Sequence, residues 1–268
     1  MRELITPSQM LAAPQAFNRQ IYFNSVRKSL FAPALDQGQV DGQNAILTRW
    51  EADPATIDLR HLAYALATSK HETASTMLPI EEYGLGSGKE YGKPDPETGQ
   101  TYYGRGFVQL TWRDNYAKSD DELGLEGDMS CEWHAENALH PLIAADIMFR
   151  GMLEGWFRGD SKGRQTLDRY FNDDVTDAWT AREIINGDKT KVPNWSGGKN
   201  IGELIAGYYD KFLIALNDSL EEGEHEIEGG VTPEEGEHPP PLAPEAEELV
   251  VKLAITVPAG VRVEVVEN

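Results

Sequence analysis

Between Tyr83 and Gly106 the chain carries glycines at positions 84, 86, 88, 92, 99, 104 and 106, with Pro94 and Pro96 among them. A helix does not tolerate that density of glycine and proline, and the stretch shows little periodicity of any kind. It must form loop and short hairpin. The flanking sequence reads as helices, so the fold has to hold an irregular segment on a helical frame. Segments of that kind commonly display binding and catalytic groups.

On the N-terminal side, Thr6-Pro7-Ser8 reads as a helix start, a second helix is expected over about 14–31, and Asp41-Gly42-Gln43 leads into a helical Ala45 to Trp50. Asp53 with Pro54 reads as the cap and first turn of the next helix. There Leu59, Leu62, Ala63, Leu66 and Ala67 recur at helical spacing. Glu72 falls near its C-terminal end, on the side of Ala65 and Thr68, while Leu62 and Leu66 face the core. Helical patterns return at about 113–118, 141–156, 167–171, 177–185 and 201–216. The expected class is mainly α, a helical domain over 1–217 with a small loop and hairpin region lining a cleft.

After Leu216 the composition changes. Residues 218–248 read as an acidic linker rich in proline and glycine, and 249–268 as a short β-hairpin too small to be stable alone. That tail is expected to dock on a protein partner or another copy of the chain. From Asp218 onward 14 acidic and 2 basic residues contribute −12 to the total charge of −21, leaving −9 on the other 217 residues. Neither part suits a phosphate backbone, so nucleic acid is excluded as a partner. The apolar runs fall short of the roughly 20 residues a membrane span requires, so stable membrane insertion is not expected. The N-terminus has no secretory apolar segment, which implies synthesis in the cytoplasm and export by another route. Cys131 is the single cysteine, so no intramolecular disulfide forms, and it reads as an inert residue near a helix start.

Three carboxylates are placed for acid–base work. Glu72 and the pair Glu81-Glu82 lie on opposite sides of the short connection Thr73 to Ile80, so a turn can face them across a groove. Cleavage of a glycosidic bond usually needs such a pair, one group to protonate the leaving oxygen and one to activate water or attack the sugar. Glu72, on an apolar helix end, is expected to hold its proton through desolvation, and Glu82, beside an open glycine-rich loop, to stay ionised. Gly104 and Gly106 allow backbone to approach a flat sugar chain. Tyr102, Tyr103 and Trp112 either stack on sugar faces or fill the core. Arg105 either orients a catalytic carboxylate or anchors a structural ion pair.

Other chemistries fail on spacing. His71-Glu72 lacks the second histidine of a zinc protease, since position 75 is Ser. Gly84 to Lys89 lacks phosphate-loop spacing, and Glu90 stands where that motif has Ser or Thr. His61, His134 and His140 have no ligand spacing, so neither metal nor cofactor is expected.

His71-Glu72-Thr73, then Tyr102-Tyr103-Gly104-Arg105-Gly106-Phe107-Val108-Gln109-Leu110-Thr111-Trp112, and later Ile184-Ile185-Asn186-Gly187 resemble the family 19 chitinases, and more so the phage and prophage endolysins related to them. The resemblance covers about residues 40–216. It implies a lysozyme-like α+β fold with a deep cleft and an inverting mechanism. It makes Glu72 the general acid and Glu82 the general base, with Glu81 in reserve, and Thr111 the residue that holds the water. Gln109, Asn115 and Asn186 map to sugar-contacting positions, and His71, Tyr103, Arg105 and Trp112 to the substrate-binding wall. The implied substrate is peptidoglycan or a chitin-like glycan. For an endolysin, a holin-type pore would give access to the wall. The plant enzymes' disulfides are absent, and the link from Glu72 to the second glutamate is short.

Overall fold

The helix Leu59–Glu72 (α3) is buried over its whole middle, from His61 to Lys70. A helix apolar all round has to run through a core. In the computed structural model, which describes residues 16–53 and 58–220, that is its position. Its longest neighbour is Ile201–Ser219 (α7), and Arg19–Ser29 (α1) packs on α7 in turn. Gln37–Glu51 (α2) packs on Pro141–Glu154 (α5) and touches α3. Rings bind these layers: Tyr64 of α3 lies 5.2 Å from Phe171 and 6.2 Å from Tyr209 of α7. Arg113–Leu123 (α4) and the single turn Leu167–Tyr170 (α6) complete the α-helices among the described residues, all of which belong to one compact unit.

The helix starts are set by side chains that accept from orphaned N–H groups. Asp36 and Gln39 form a reciprocal capping box at α2, with Asp36 Oδ1 2.8 Å from the Gln39 N–H nitrogen. Asn200 and Glu203 do the same at α7. Asp58 opens α3 by accepting from the Arg60 N–H at 2.9 Å. Pro141 stands in the first turn of α5, which closes at the left-handed Gly155.

Several sequence expectations on element bounds are corrected by these caps. The start of α2 is Asp36, upstream of Asp41-Gly42-Gln43. The cap of α3 is Asp58, whereas Asp53 sits just past the end of α2. The expected helix 14–31 narrows to Arg19–Ser29, bounded by Asn18, and α4 runs on to Leu123, where Gly124 closes it. The run 177–185 is a short 3₁₀ segment, Thr180–Ile184, a form common in short connecting pieces. α7 continues to Ser219, and Leu220 pairs with Phe17, so 218–220 belong to the folded part and not to a linker. The helix start at Thr6-Pro7-Ser8, Pro54, the rest of the expected linker and the hairpin 249–268 lie outside the described residues.

Among the described residues two small antiparallel sheets interrupt the helices. Ile80–Glu81 (β1) pairs with Arg105–Gly106 (β2), bringing together the two ends of the glycine-rich segment. Gly159–Asp160 (β3) pairs with Gly163–Arg164 (β4), a hairpin too short to show as alternation in the sequence.

Candidate active site

Glu72 is the last residue of α3. The Thr73 hydroxyl bonds back to the Ser69 carbonyl at 2.7 Å and accepts the Met77 N–H at 3.0 Å, which ends the helix and starts a reversal. Ala74, Ser75 and Met77 take φ values of 49°, 67° and 57°. Positive φ is costly for residues with a side chain, and such strain persists where the surroundings over-determine it. The reversal leads the chain straight into β1, so Glu81 and Glu82 return beside the helix that ends in Glu72.

The β1–β2 pairing then separates the two neighbouring glutamates, as the alternation of side chains along a strand requires. Glu82 donates its N–H to the Gly104 carbonyl at 2.7 Å, and its Oε2 accepts the Gly104 N–H at 3.2 Å. The Glu82 side chain lines a cleft of about 510 Å³. Glu81 points elsewhere: its Oε1 accepts from the Tyr103 hydroxyl at 2.6 Å and lies 3.4 Å from Arg105 Nε.

The cleft is bounded by Glu72, Glu82, Gln109, Thr111, Trp112, Asn115 and Asn186, with Tyr91, Gly104 and Phe157 among the rest of its wall. Its two glutamates therefore arrive from different elements, the end of α3 and the edge of the small sheet. Gln109 and Trp112 have φ of 55° and 72°, so the short run between them is held in an unusual path that presents Thr111. Gln109 Nε2 donates to the Ile80 carbonyl at 3.0 Å, and Asn115 Nδ2 to the Thr111 carbonyl at 2.7 Å. These amide nitrogens brace the wall. Trp112 is half exposed, with its indole edge-on to Tyr91 at 5.2 Å. The Tyr91 hydroxyl, 3.5 Å from Glu82 Oε1, is raised above its usual pKa by burial and by the Glu82 charge, so it stays a donor.

Four residues expected at the substrate wall or in reserve, Arg105, Tyr103, Glu81 and His71, are not among the residues that line the cleft. Arg105 is buried, stacked on the Tyr103 ring at 3.8 Å, and donates to the Thr101 carbonyl at 2.7 Å and the Tyr116 hydroxyl at 3.2 Å. With Glu81 and Tyr103 it forms a structural cluster that anchors the hairpin. His71 faces Trp195, ring centres 6.4 Å apart, and its pKa is lowered mainly by burial. Gly106, with φ of 81°, makes its close approach to protein, since a Cβ there would meet the Ala138 carbonyl at 2.9 Å. At Gly104 a Cβ would meet Gln109 Oε1 at 2.9 Å, so that glycine lets Gln109 lie across the cleft wall.

Sequence reasoning missed Arg182 and Asp188. Arg182 is almost fully buried, and its Nη1 donates to Glu72 Oε1. Its Nε donates to Asp188 Oδ1 at 2.7 Å and its Nη2 to Asp188 Oδ2 at 3.3 Å. The two carboxylates hold the guanidinium charge firmly, and Asp188, despite burial, is depressed below the ordinary aspartate range by those bonds. The expectation that Glu72 ends on an apolar helix face is thereby corrected, since its neighbour is a cation. The only signal was position: Arg182 and Asp188 flank Ile184-Ile185-Asn186-Gly187. Cys131 is buried, and burial followed by the nearby Asp120 pushes its thiol up to about 12, which removes it from nucleophilic chemistry.

The chain matches no protein-family model and no curated protein. Among solved structures it is similar to chitinase C from Streptomyces griseus HUT6037, at 19% identity over 82% of each chain with a TM-score of 0.47. It is also similar to a class IV family GH19 chitinase from Zea mays, at 17% identity over 73% of this chain and 90% of that one, with a TM-score of 0.43. A bacterial family 19 chitinase aligns at 20% identity over 73% and 92%, with a TM-score of 0.37.

Proposed function

We propose that the protein is a glycoside hydrolase that cleaves β-1,4 bonds of peptidoglycan glycan strands with inversion, as an endolysin does. The observation that carries this reading is the placement of Glu72 and Glu82 on one open cleft from two separate elements, with Thr111, Gln109, Asn115 and Asn186 between and around them. An inverting pair must leave room for a water, with carboxyls about 6.5–9.5 Å apart. A cleft of about 510 Å³ offers that room and an open path for a polymer.

In this mechanism Glu72 protonates the leaving glycosidic oxygen. Glu82 removes a proton from a water held by the Thr111 hydroxyl, and that water attacks the anomeric carbon from the opposite face. Arg182 aims Glu72. Asp188 already matches the guanidinium charge, so Arg182 orients Glu72 while Glu72 cycles through its protonated form. Trp112, exposed at the cleft edge, offers an apolar face to the sugar ring.

The test is the nearly isosteric Glu72→Gln change, assayed by reducing-end release from purified peptidoglycan and from chitin oligomers, with glycan binding measured in parallel. Turnover should vanish while binding survives, and products of the unaltered enzyme should show inverted anomeric configuration. Release from chitin alone would replace peptidoglycan with chitin as substrate. Intact release in the variant would overturn Glu72 as the acid, and binding with no release from either glycan by the unaltered protein would reduce it to a noncatalytic glycan-binding module.

A further inference from the structure

Lys70 is buried two residues before the proposed acid and does not line the cleft. Residues two apart on a helix point about 200° from each other, so Lys70 lies on the side of α3 turned away from Glu72. Its ammonium donates to the Ser75 hydroxyl at 3.0 Å and stands over the Phe31 ring at 4.1 Å and the Tyr208 ring of α7 at 5.2 Å. The charge that bears on it is that of Lys211, also on α7, while burial raises the Tyr208 pKa and keeps that phenol neutral. A buried ammonium with no counter-charge costs stability, and a methionine would fill the same space between the rings. What the ammonium adds is a hold on Ser75.

Ser75 lies in the connection that runs from Glu72 to β1, and each of its polar groups is held. Its N–H donates to the Lys70 carbonyl at 2.8 Å, its carbonyl accepts from Gln39 Nε2 at 3.0 Å, and its hydroxyl accepts from Lys70. Gln39 is neutral and is itself fixed at its other end, where Oε1 accepts the Asp36 N–H at 3.0 Å. α2 also presses on the connection directly, since a Cβ on Gly42 would meet the Met77 carbonyl oxygen at 1.7 Å. Ala74, Ser75 and Met77 all have positive φ, and conformations of that kind persist only where the surroundings impose them. The connection joins the proposed acid to the strand that carries the proposed base, so slack in it moves one carboxylate relative to the other.

We propose that Lys70 is a positioning residue of the reaction: through Ser75 its ammonium fixes the connection that sets Glu82 against Glu72, and stability is given up for that alignment. The inference rests on the hydrolase reading of the cleft and adds a regulation to it. Burial, and then the charge of Lys211, bring the Lys70 pKa down to about 8. Below that value the ammonium holds both rings and the Ser75 hydroxyl. Above it the charge is lost, the attraction to the rings goes with it, and the bond to Ser75 weakens.

The test compares the full-length protein with Lys70→Met, Ser75→Ala and the double variant, on purified peptidoglycan and on chitin oligomers. Each single change should lower kcat about tenfold with KM little changed, because misplaced reacting groups slow turnover without removing sugar contacts. The double variant should lose no more than either single one, since both remove the same bond. Lys70→Met should lose turnover while its thermal transition rises, which a merely structural lysine would not give. The kcat ratio of the unaltered protein to Lys70→Met cancels the titration of the two glutamates and should shrink toward one as pH passes about 8. Amide hydrogen exchange over residues 73–80, read at one pH, should be about tenfold faster in both single variants. Unchanged kcat and unchanged exchange in both would overturn the clamp and spare the hydrolase. Losses that multiply in the double variant would overturn the link through Ser75. Faster exchange in variants of a protein that releases nothing from either glycan would sustain the clamp and overturn the hydrolase.

Discussion

Asp188 grips Arg182 at two points, Oδ1 from Nε at 2.7 Å and Oδ2 from Nη2 at 3.3 Å, and the guanidinium's remaining arm donates to Glu72. The acid of the proposed reaction is therefore aimed by a residue that is itself clamped. Planar, forked donors suit that task better than a flexible ammonium does.

Asp188→Asn should expose this clamp. Loss of a charge-assisted pair costs about 2 kcal/mol, seen as a Tm drop of several degrees. kcat should fall about tenfold with KM little changed, because Arg182 loses its hold on position before Glu72 loses its chemistry. The pH dependence follows from the depressed Asp188 value. A carboxylate depressed in the folded state adds stability above its unfolded value, about 3.9, and loses it as pH falls through the folded value. Acid unfolding titrations should show that contribution being lost as pH falls below about 4 in the unaltered protein, and no such loss in Asp188→Asn.

Adjacent glutamates should behave oppositely. Glu82→Gln removes the proposed base and should lower kcat by about 10²- to 10⁴-fold with the fold intact. Glu81→Gln weakens the bonds to Tyr103 and Arg105 and should cost about 1–2 kcal/mol of stability while kcat changes less than about threefold. Urea unfolding and steady-state rates on the same two proteins decide this. Equal kinetic losses would mean that the sheet register does not separate their roles.

Trp112→Gly should trade function for comfort. Glycine adopts a φ of 72° freely, a gain of about 1 kcal/mol, which offsets the lost edge contact with Tyr91. Thermal stability should hold or rise, while KM for the glycan rises about tenfold. A clear fall in Tm would show that the indole is there for packing.

Lys70 gives a test in alkaline solution. Its ammonium donates to the Ser75 hydroxyl at 3.0 Å and lies 4.1 Å above the Phe31 ring, with no carboxylate paired to it among the described residues. Burial first, and the charge of Lys211 second, lower it to about 8. The unfolded lysine, near 10.4, then binds more protons between these values, so this residue makes stability rise with pH across that window. Lys70→Met should be more stable than the unaltered protein at pH 7, by about 1 kcal/mol, and the advantage should shrink above about pH 8. An advantage that does not change with pH would show that the ammonium is not what burial penalises.

The helical frame was legible because its signals are local. Leu59, Leu62, Ala63, Leu66 and Ala67 declare α3 through spacing alone, and the glycine-rich run between Tyr83 and Gly106 declares a break. Helix starts were less legible. Asp36, Asp53 and Asp58 are all plausible caps in one dimension, and only the chain's path decides which finds free N–H groups to accept. The paired carboxylates, Thr111 and Asn186 were legible as residue types in a pattern. Arg182 was not, because an arginine reveals its partner only when two remote segments meet.

The sequence by itself determined the helical class, the irregular insert and the set of groups able to move protons, since periodicity, glycine density and side-chain chemistry are properties of neighbouring residues. Tertiary structure alone decided how those groups are used. The pairing of β1 with β2 turns Glu82 to the cleft and Glu81 to Arg105, because successive strand residues face opposite sides. The approach of residues 182–188 to the end of α3 gives Glu72 a clamped cation in place of an apolar wall. Both outcomes depend on contacts between residues far apart in the chain, where register and packing decide which side chains meet.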